Sequence, residues 1–400
     1  MIEYLSYFIF FTSIIVSIIY FYIKIKYGFW VIQPVFHVYD IGYMLSSPGI
    51  INHELPKKNK YTNFNNIETF EYNKLHAFFI SKIVKVINLH YFREQNNYYR
   101  LTNNNFIPYF KGHNDLCFIS CYNEPLQLLN KINNTIINEN KLVSVMTSRP
   151  LNVTINNGDK DATFSCYYID YLCVHKSYRK KGIAPQIIQT HHYNQSHLNK
   201  KISISLFKRE DELTGIIPLC VYSTYGFSVD KWTKPYELSG KYSFVKITSI
   251  NIHLLYNFIK EQNTIFDIVI VCEISNLIEL INSKNIFVYM LLDEDEIVAA
   301  YFFRKTCIFV DTNLEVLSCF ASINNHSSVD VFVHGFKILF WKIAAENYFG
   351  YCSIENISHN DFIINNLCLK TKTSVISPTA YFFYNFVYKT SPSNKVFIIH

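Results

Sequence analysis

YYIDYLCVHKSYRKKGIAPQII, residues Tyr167 to Ile188, holds the pattern on which the fold turns. Its first half is rich in aromatic and other apolar residues, the composition of a strand. It breaks at a basic turn, Arg179, Lys180 and Lys181, passes Gly182, and continues as the helical stretch PQIIQTHHYNQ with Pro185 in its first turn. Proline suits that place because the N–H it lacks would have no partner there. A helix entered in this way turns its first N–H groups and the positive end of its dipole outward. With three cations beside it, the turn is an anion site fit for a pyrophosphate.

Outward from this stretch the chain alternates strand and helix. Residues 141–146 and 164–174 read as β-rich runs, with the turn NNGDKD (residues 156–161) between the strands of this region. A second set follows: a helix at 252–262, strands at 286–292 and 297–303 around an acidic turn at 293–296, and a helix at 331–346. The order helix, hairpin, strand, helix therefore occurs twice, which predicts an α+β protein of duplicated design. Its 400 residues exceed a usual single core, so two domains of ordinary size are expected.

Before the first of these elements, residues 4–23 (YLSYFIFFTSIIVSIIYFYI) carry no charge. About 20 such residues cross the hydrocarbon core as a helix. No basic segment precedes them and no small-residue cleavage site follows, so a membrane anchor is expected, not a cleaved leader. Glu3 lies before the segment, and Lys24 and Lys26 lie after it. By the positive-inside tendency the remainder faces the cytosol, as a single-pass membrane protein.

Charged residues make up 17% of the chain, against roughly 25% in average proteins, so a large core is easily built. The net charge of +6 is spread out, and no clustered basic face marks a nucleic-acid partner. Ten cysteines show no paired C-x-x-C spacing and sit in apolar runs, as do Cys166, Cys173 and Cys220; they read as buried, reduced thiols. No metal constellation emerges. His191, His192 and His197 lie on one helical stretch, and His191 and His192 point different ways, so solvated histidines are expected there.

The order R-x-x-G-x-A in the basic turn resembles the coenzyme A loop of GNAT acetyltransferases. DYLCVHKSYRKKGIAP, from Asp170, resembles the N-myristoyltransferase signature, in which NFLCVHK, a basic loop and AP follow in that order. YGFWVIQPV from Tyr27 is similar to that family's opening element, and KLVSVMTSRPLNV from Lys141 to its preceding hairpin. YFFYNF and KVFIIH near the end resemble its last two strands. These matches occur in order from Tyr27 to His400.

The resemblance implies two fused GNAT-like halves with a pseudo-two-fold repeat behind an N-terminal transmembrane helix. The anchor would take residues 1–26, an acyl-CoA-binding half 27–215, and a peptide-binding half 216–400. It implies transfer of a myristoyl group from myristoyl-CoA, a co-substrate, to the N-terminal glycine amine of a protein. No prosthetic group or metal is implied, and the chain is expected to be a monomer. Coenzyme A would be held by Phe29, Trp30, Arg179, Lys180, Lys181, Gly182, Ile183 and Ala184. The oxyanion hole would be the backbone N–H groups of Tyr171 and Leu172, which depend on geometry and not on side chain. The base would be the terminal carboxylate of His400, carried inward by the apolar strand VFII; the imidazole of His400 is a competing base. An α-ammonium with a pKa near ~8 yields its proton to a weak base.

On the acceptor side the chain departs from the family. Glu94, Ser223 and Thr224 are the retained acceptor-binding candidates. Arg93 reverses a charge; Gly226, Phe227 and Val229 replace polar family positions; and Gly182 stands where the family's loop has an arginine. The Gly-Asp-Gly loop before the aromatic strand is absent. These changes suggest an altered acceptor preference. They leave open a catalytically reduced acyl-CoA-binding protein or a generic GNAT N-acyltransferase.

Overall fold

The computed structural model describes residues 2–26, 28–92, 97–130, 135–156, 161–210, 215–230, 232–310 and 314–400. The chain opens with α1 (Ile2–Lys26), followed by a helical turn, α2 (Ile41–Met44). Strands β1 (Gly49–Ile50) and β2 (Ile67–Glu71) lead to α3 (Ala77–His90). After β3 (Asn97–Tyr99) and α4 (Asn103–Phe106) come three antiparallel strands, β4 (Phe118–Asn130), β5 (Thr135–Ile155) and β6 (Ala162–Val174). Helix α5 (Ile183–Leu198) returns the chain to β7 (Ser205–Glu210), which runs parallel to β6.

The second passage begins with β8 (Cys220–Ser228) and β9 (Tyr242–Lys246), then α6 (Ile252–Glu261), β10 (Ile268–Val271) and α7 (Ile274–Asn282). Another antiparallel trio follows: β11 (Ile286–Asp293), β12 (Glu296–Val310) and β13 (Leu314–Asn324). Helix α8 (Val329–Asn347) returns the chain to β14 (Phe349–Glu355), parallel to β13. The chain ends with α9 (Asn360–Cys368), β15 (Val375–Tyr384), β16 (Phe386–Val387) and β17 (Val396–Ile399).

The expected order of helix, hairpin, strand and helix occurs twice, as α3, β4–β5, β6, α5 and as α7, β11–β12, β13, α8, although the helix expected to open the second set, α6, is separated from it by β10 and α7. Most of the strands form one sheet, and its middle reads β7, β15, β8, β14. Thus β8, which follows the first trio, pairs with β14 of the second, while β15 pairs with β7 of the first. The second passage thus lends β15 to the first, where it lies between β7 and β8. The β7–β15 pairing brings together residues far apart in sequence and joins the two passages in one sheet.

Local sequence explains the helices. On α3, Ile80, Ile83, Val84 and Ile87 recur at helical spacing, and all four are buried, giving one apolar stripe against the sheet. Helix α5 begins at Ile183 with Gly182 as its cap, so Pro185 is its third residue and not its first; it stays within the turn where no i−4 acceptor is needed. The buried side of α5 is partly polar, which corrects the expectation of solvated histidines. His191 is fully buried, its two ring nitrogens 2.8 Å from Ser120 Oγ and 2.9 Å from Ser148 Oγ. The reason is that α5 packs across β4 and β5, where these serines wait on the sheet face. The run expected at 141–146 is one part of the long β5, and residues 157–160 of the turn lie outside the described residues.

Cys166, Cys173 and Cys220 are buried and unpaired, as read from the sequence. Residues Tyr4–Tyr22 of α1 are long and apolar enough to cross a membrane, and none of that span is buried against the protein.

Candidate active site

Two irregularities in β6 and its continuation shape the site. The β5–β6 register steps where Thr147 faces Asp170 and Val145 faces Cys173, so Tyr171 and Leu172 together oppose Met146. Two residues against one is a β-bulge, which takes backbone amides out of the ladder and re-aims them. Tyr171 holds φ at +47°, a left-handed conformation that is strained for an aromatic residue by roughly 1–3 kcal/mol. Its side chain compensates by burial, with its ring 5.4 Å from Phe106 and 5.7 Å from Tyr91. The Tyr171 N–H donates to Asp170 Oδ1 at 2.8 Å, while Leu172 stays partly exposed.

Beyond the bulge the basic turn opens α5. Gly182 caps that helix at φ +75°, and a Cβ there would meet nothing within 4 Å. The helix N-terminus is therefore open, with Lys180 and Lys181 exposed beside it and Ala184 half-buried. Ile183 is buried and seats the first turn. Arg179 behaves differently from its neighbours: it donates to the carbonyls of His90 and Val174, tying the loop to α3 and β6. Phe29 and Trp30 pack edge to face at 5.1 Å, and Trp30 stacks on Phe207 of β7 at 5.6 Å. Gln33 in the same element accepts from Tyr384 Oη at 2.6 Å. The opening element is thus clamped to the central sheet, and the aromatic pair is part of the folded body.

His400 follows β17 and is buried, in line with the apolar run that precedes it. β17 lies parallel to β10, which joins it to β5. The imidazole stacks on Tyr168 at 4.1 Å. Nδ1 lies 3.4 Å from Arg149 Nη2 and 3.4 Å from Arg304 Nη1, and Nε2 lies 2.7 Å from Tyr381 Oη. Arginine can only donate, so Nδ1 accepts and the ring proton sits on Nε2, donated to Tyr381. Burial, then the charges of Arg304, Arg149 and Lys208, hold this histidine well below its ordinary pKa. The imidazole is neutral, and its one lone pair faces two guanidinium groups. That corrects the reading of the ring as a competing base.

These partners form a buried network that sequence reading missed. Arg149 pairs with Asp170 at 3.0 Å and lies over the rings of Tyr109 and Tyr168. Arg304 pairs with Glu355 at 2.8 Å; Lys208 reaches the other oxygen of Glu355 at 3.0 Å, and Tyr222 Oη donates to it at 2.5 Å. Burial alone would raise the pKa of Glu355, but Lys208, Arg304 and the Tyr222 hydroxyl together bring it below the ordinary value. A signal did exist. Arg149, Arg304 and Glu355 each interrupt an apolar strand, and a charge enters a core only when paired.

Ser223 and Thr224 lie half-buried on β8, with Thr224 opposite Glu355 and Ser223 opposite Pro378. They share β8 with Tyr222, which donates to Glu355 of the network. Glu94 lies outside the described residues. A cavity of about 160 Å³ lined by Gln33, Gln189, His192 and Lys200 lies at the other end of α5 from Gly182, away from His400 and the bulge.

The same fold occurs in solved structures of Saccharomyces cerevisiae N-myristoyltransferase. One, with bound myristoyl-CoA, has a TM-score of 0.72 at 12% identity and covers 93% of this chain and 99% of that one. A second, also with bound myristoyl-CoA, gives 0.70 at 13% identity, covering 93% of each chain. A third, with myristoyl-CoA and inhibitors, gives 0.69 at 13%, covering 92% and 91%. No curated protein matches the sequence. Residues 51–201 match the family model of the Myristoyl-CoA:protein N-myristoyltransferase N-terminal domain. The protein is therefore an acyltransferase. That span, from β2 through the bulge to α5, is the part of the chain that is similar to the N-myristoyltransferase family.

Proposed function

We propose that this protein transfers a myristoyl group from myristoyl-CoA to the N-terminal glycine amine of an acceptor protein. The observation that carries the reading is the strained bulge at Tyr171–Leu172, set between the open start of α5 and the buried end of β17. In this reading the pyrophosphate of coenzyme A lies on the first N–H groups of α5, beside Lys180 and Lys181, with Gly182 leaving room for it. Arg179 shapes the loop through its two carbonyl contacts. Phe29 and Trp30 wall the cofactor side.

The chemistry needs few groups. The acceptor ammonium loses a proton to a carboxylate at the end of His400. The free amine attacks the thioester carbon, and the amide forms as the C–S bond breaks and coenzyme A leaves as its thiol. Charge developing on the thioester oxygen is met by the Leu172 N–H, and by the Tyr171 N–H once Asp170 turns away. The burial of His400, with Arg149 and Arg304 beside its ring, supports this reading, since it carries the end of β17 into a cationic part of the fold.

The two passages correspond in this reading to GNAT-like halves, residues 27–215 and 216–400, joined in one sheet where β15 of the second pairs with β7 of the first. Helix α1 is the membrane anchor, and Ser223 and Thr224 line the acceptor side. The contact between Asp170 and the Tyr171 amide favours one second reading, an acyl-CoA-binding protein with reduced turnover. The full chain in vesicles, given myristoyl-CoA and a diverse panel of Gly-starting peptides, separates the two by peptide mass. A gain of one myristoyl group, lost when one residue is added after His400, is expected. Binding of myristoyl-CoA without release of coenzyme A favours the second reading.

A further inference from the structure

The segment just beyond α1 presents apolar side chains to solvent on a rigid frame. Ile41 is 68% exposed and Leu45 86%, with Val38, Tyr43 and Met44 exposed around them. This is no loose loop. Val38 N–H donates to the Gly215 carbonyl, and His37 bridges Ile216. Asp40 organises the turn: its carboxylate accepts from the His37 N–H at 3.0 Å and its carbonyl from the N–H groups of Tyr43 and Met44. Phe36 turns inward against Tyr43. The fold thus holds one side of this turn to the body and the apolar side away from it.

Its neighbours say what covers that face. Tyr39 lies 6.5 Å from Tyr20 of α1, so the turn stands beside the C-terminal end of the apolar span. Phe29, three residues past α1, packs on Tyr61 at 5.1 Å, and the exposed Lys60 lies over the same ring. Lys57 and Lys58 are exposed in the same segment. An apolar tip at the end of a span, with exposed Lys58 and Lys60 in the segment that packs on Phe29, matches the acyl–headgroup boundary of an anionic leaflet.

We propose that residues 38–45 are a second membrane contact, which dips into the leaflet at the end of α1 and fixes the orientation of the catalytic body on the bilayer. The proposal rests on the reading of α1 as an anchor. With two attachments the body cannot swivel freely about α1, so the face carrying Phe29 and Trp30 is held toward the lipid.

The full chain is reconstituted in phosphatidylcholine–phosphatidylserine vesicles with an environment-sensitive fluorophore at one of two positions. One is Leu45→Cys in a Cys368→Ser background, which removes the exposed native thiol; the other is native Cys368 on α9. The expected result is a shift of the Leu45→Cys emission to shorter wavelength, with quenching by lipid brominated near the headgroup, and neither change at Cys368. If the chain floats with the vesicles but the Leu45→Cys probe emits as in water, the inference is overturned and the anchor stands. If the chain does not float at all, the anchor reading fails and the inference falls with it. A shift that disappears when protein is diluted in excess lipid assigns the face to a second copy of the chain and also overturns the proposal.

Discussion

His400 has its ring proton on Nε2 because two arginines occupy the space before Nδ1, and neither can accept. Around it the magnitudes separate two kinds of contact. Tyr381→Phe removes one hydroxyl from a buried, neutral hydrogen bond and leaves the imidazole N–H without a partner, a loss of about 1–3 kcal/mol. Glu355→Gln keeps the shape but leaves Lys208 and Arg304 buried with their shared anion gone, a loss of about 3–5 kcal/mol. Urea unfolding of both variants is expected to rank them in that order. Equal midpoints would mean that water reaches the network and screens it.

At the scale of elements, the turn before β4 is fixed by its approach to α7. Gly112 has φ at +71°, and a Cβ there would stand 2.6 Å from the Ser275 carbonyl carbon and 2.7 Å from Asn276 N. Asn276 in turn donates to the carbonyls of Pro108 and Lys111. Both partners are backbone, so neither can move aside cheaply. Gly112→Ala is expected to lose at least about 2 kcal/mol, from strain and overpacking together. Gly112→Asn relieves the φ strain but keeps the Cβ, so it should recover little. Denaturant midpoints close to the parent for both variants would place this turn farther from α7. The strand–turn–helix around Gly182 was legible in sequence because a basic turn, a glycine and an early proline act locally. The bulge beside it was not: Tyr171 is an ordinary strand residue in composition, and only the register against β5 puts two residues opposite one.

Across the whole molecule, burial of histidine sets the response to acid. His191 is pushed down to about 3 by burial and then by the charge of His192, and His192, His113 and His359 are each pushed to about 4, chiefly by burial. His400 lies well below the ordinary value for the reasons given. In the unfolded chain these groups titrate near ~6.5. Below that pH the unfolded state binds protons that the folded state refuses, so stability falls as pH drops from about 6.5 toward 4. Each fully buried imidazole adds a slope of about 1.4 kcal/mol per pH unit, and His191 and His400 together about 2.7, once their unfolded forms are fully protonated. The melting temperature of the full chain in detergent should fall steeply over that window. A flat profile would contradict the burial of these rings.

Sequence by itself determined the apolar span of α1, the basic turn and glycine that open α5, the repeated order of elements and the resemblance of residues 51–201 to a known family. Each of these is written in neighbouring residues, through hydrophobic length, turn chemistry or a run of motif positions. Tertiary structure alone decided the insertion of β15 between β7 and β8, the burial of His191, and the network that joins Arg149, Lys208, Arg304, Glu355 and Tyr381 around His400. Those residues come from separate strands, and which of them meet depends on strand order and register, because pairing across a sheet leaves no fixed spacing along the chain.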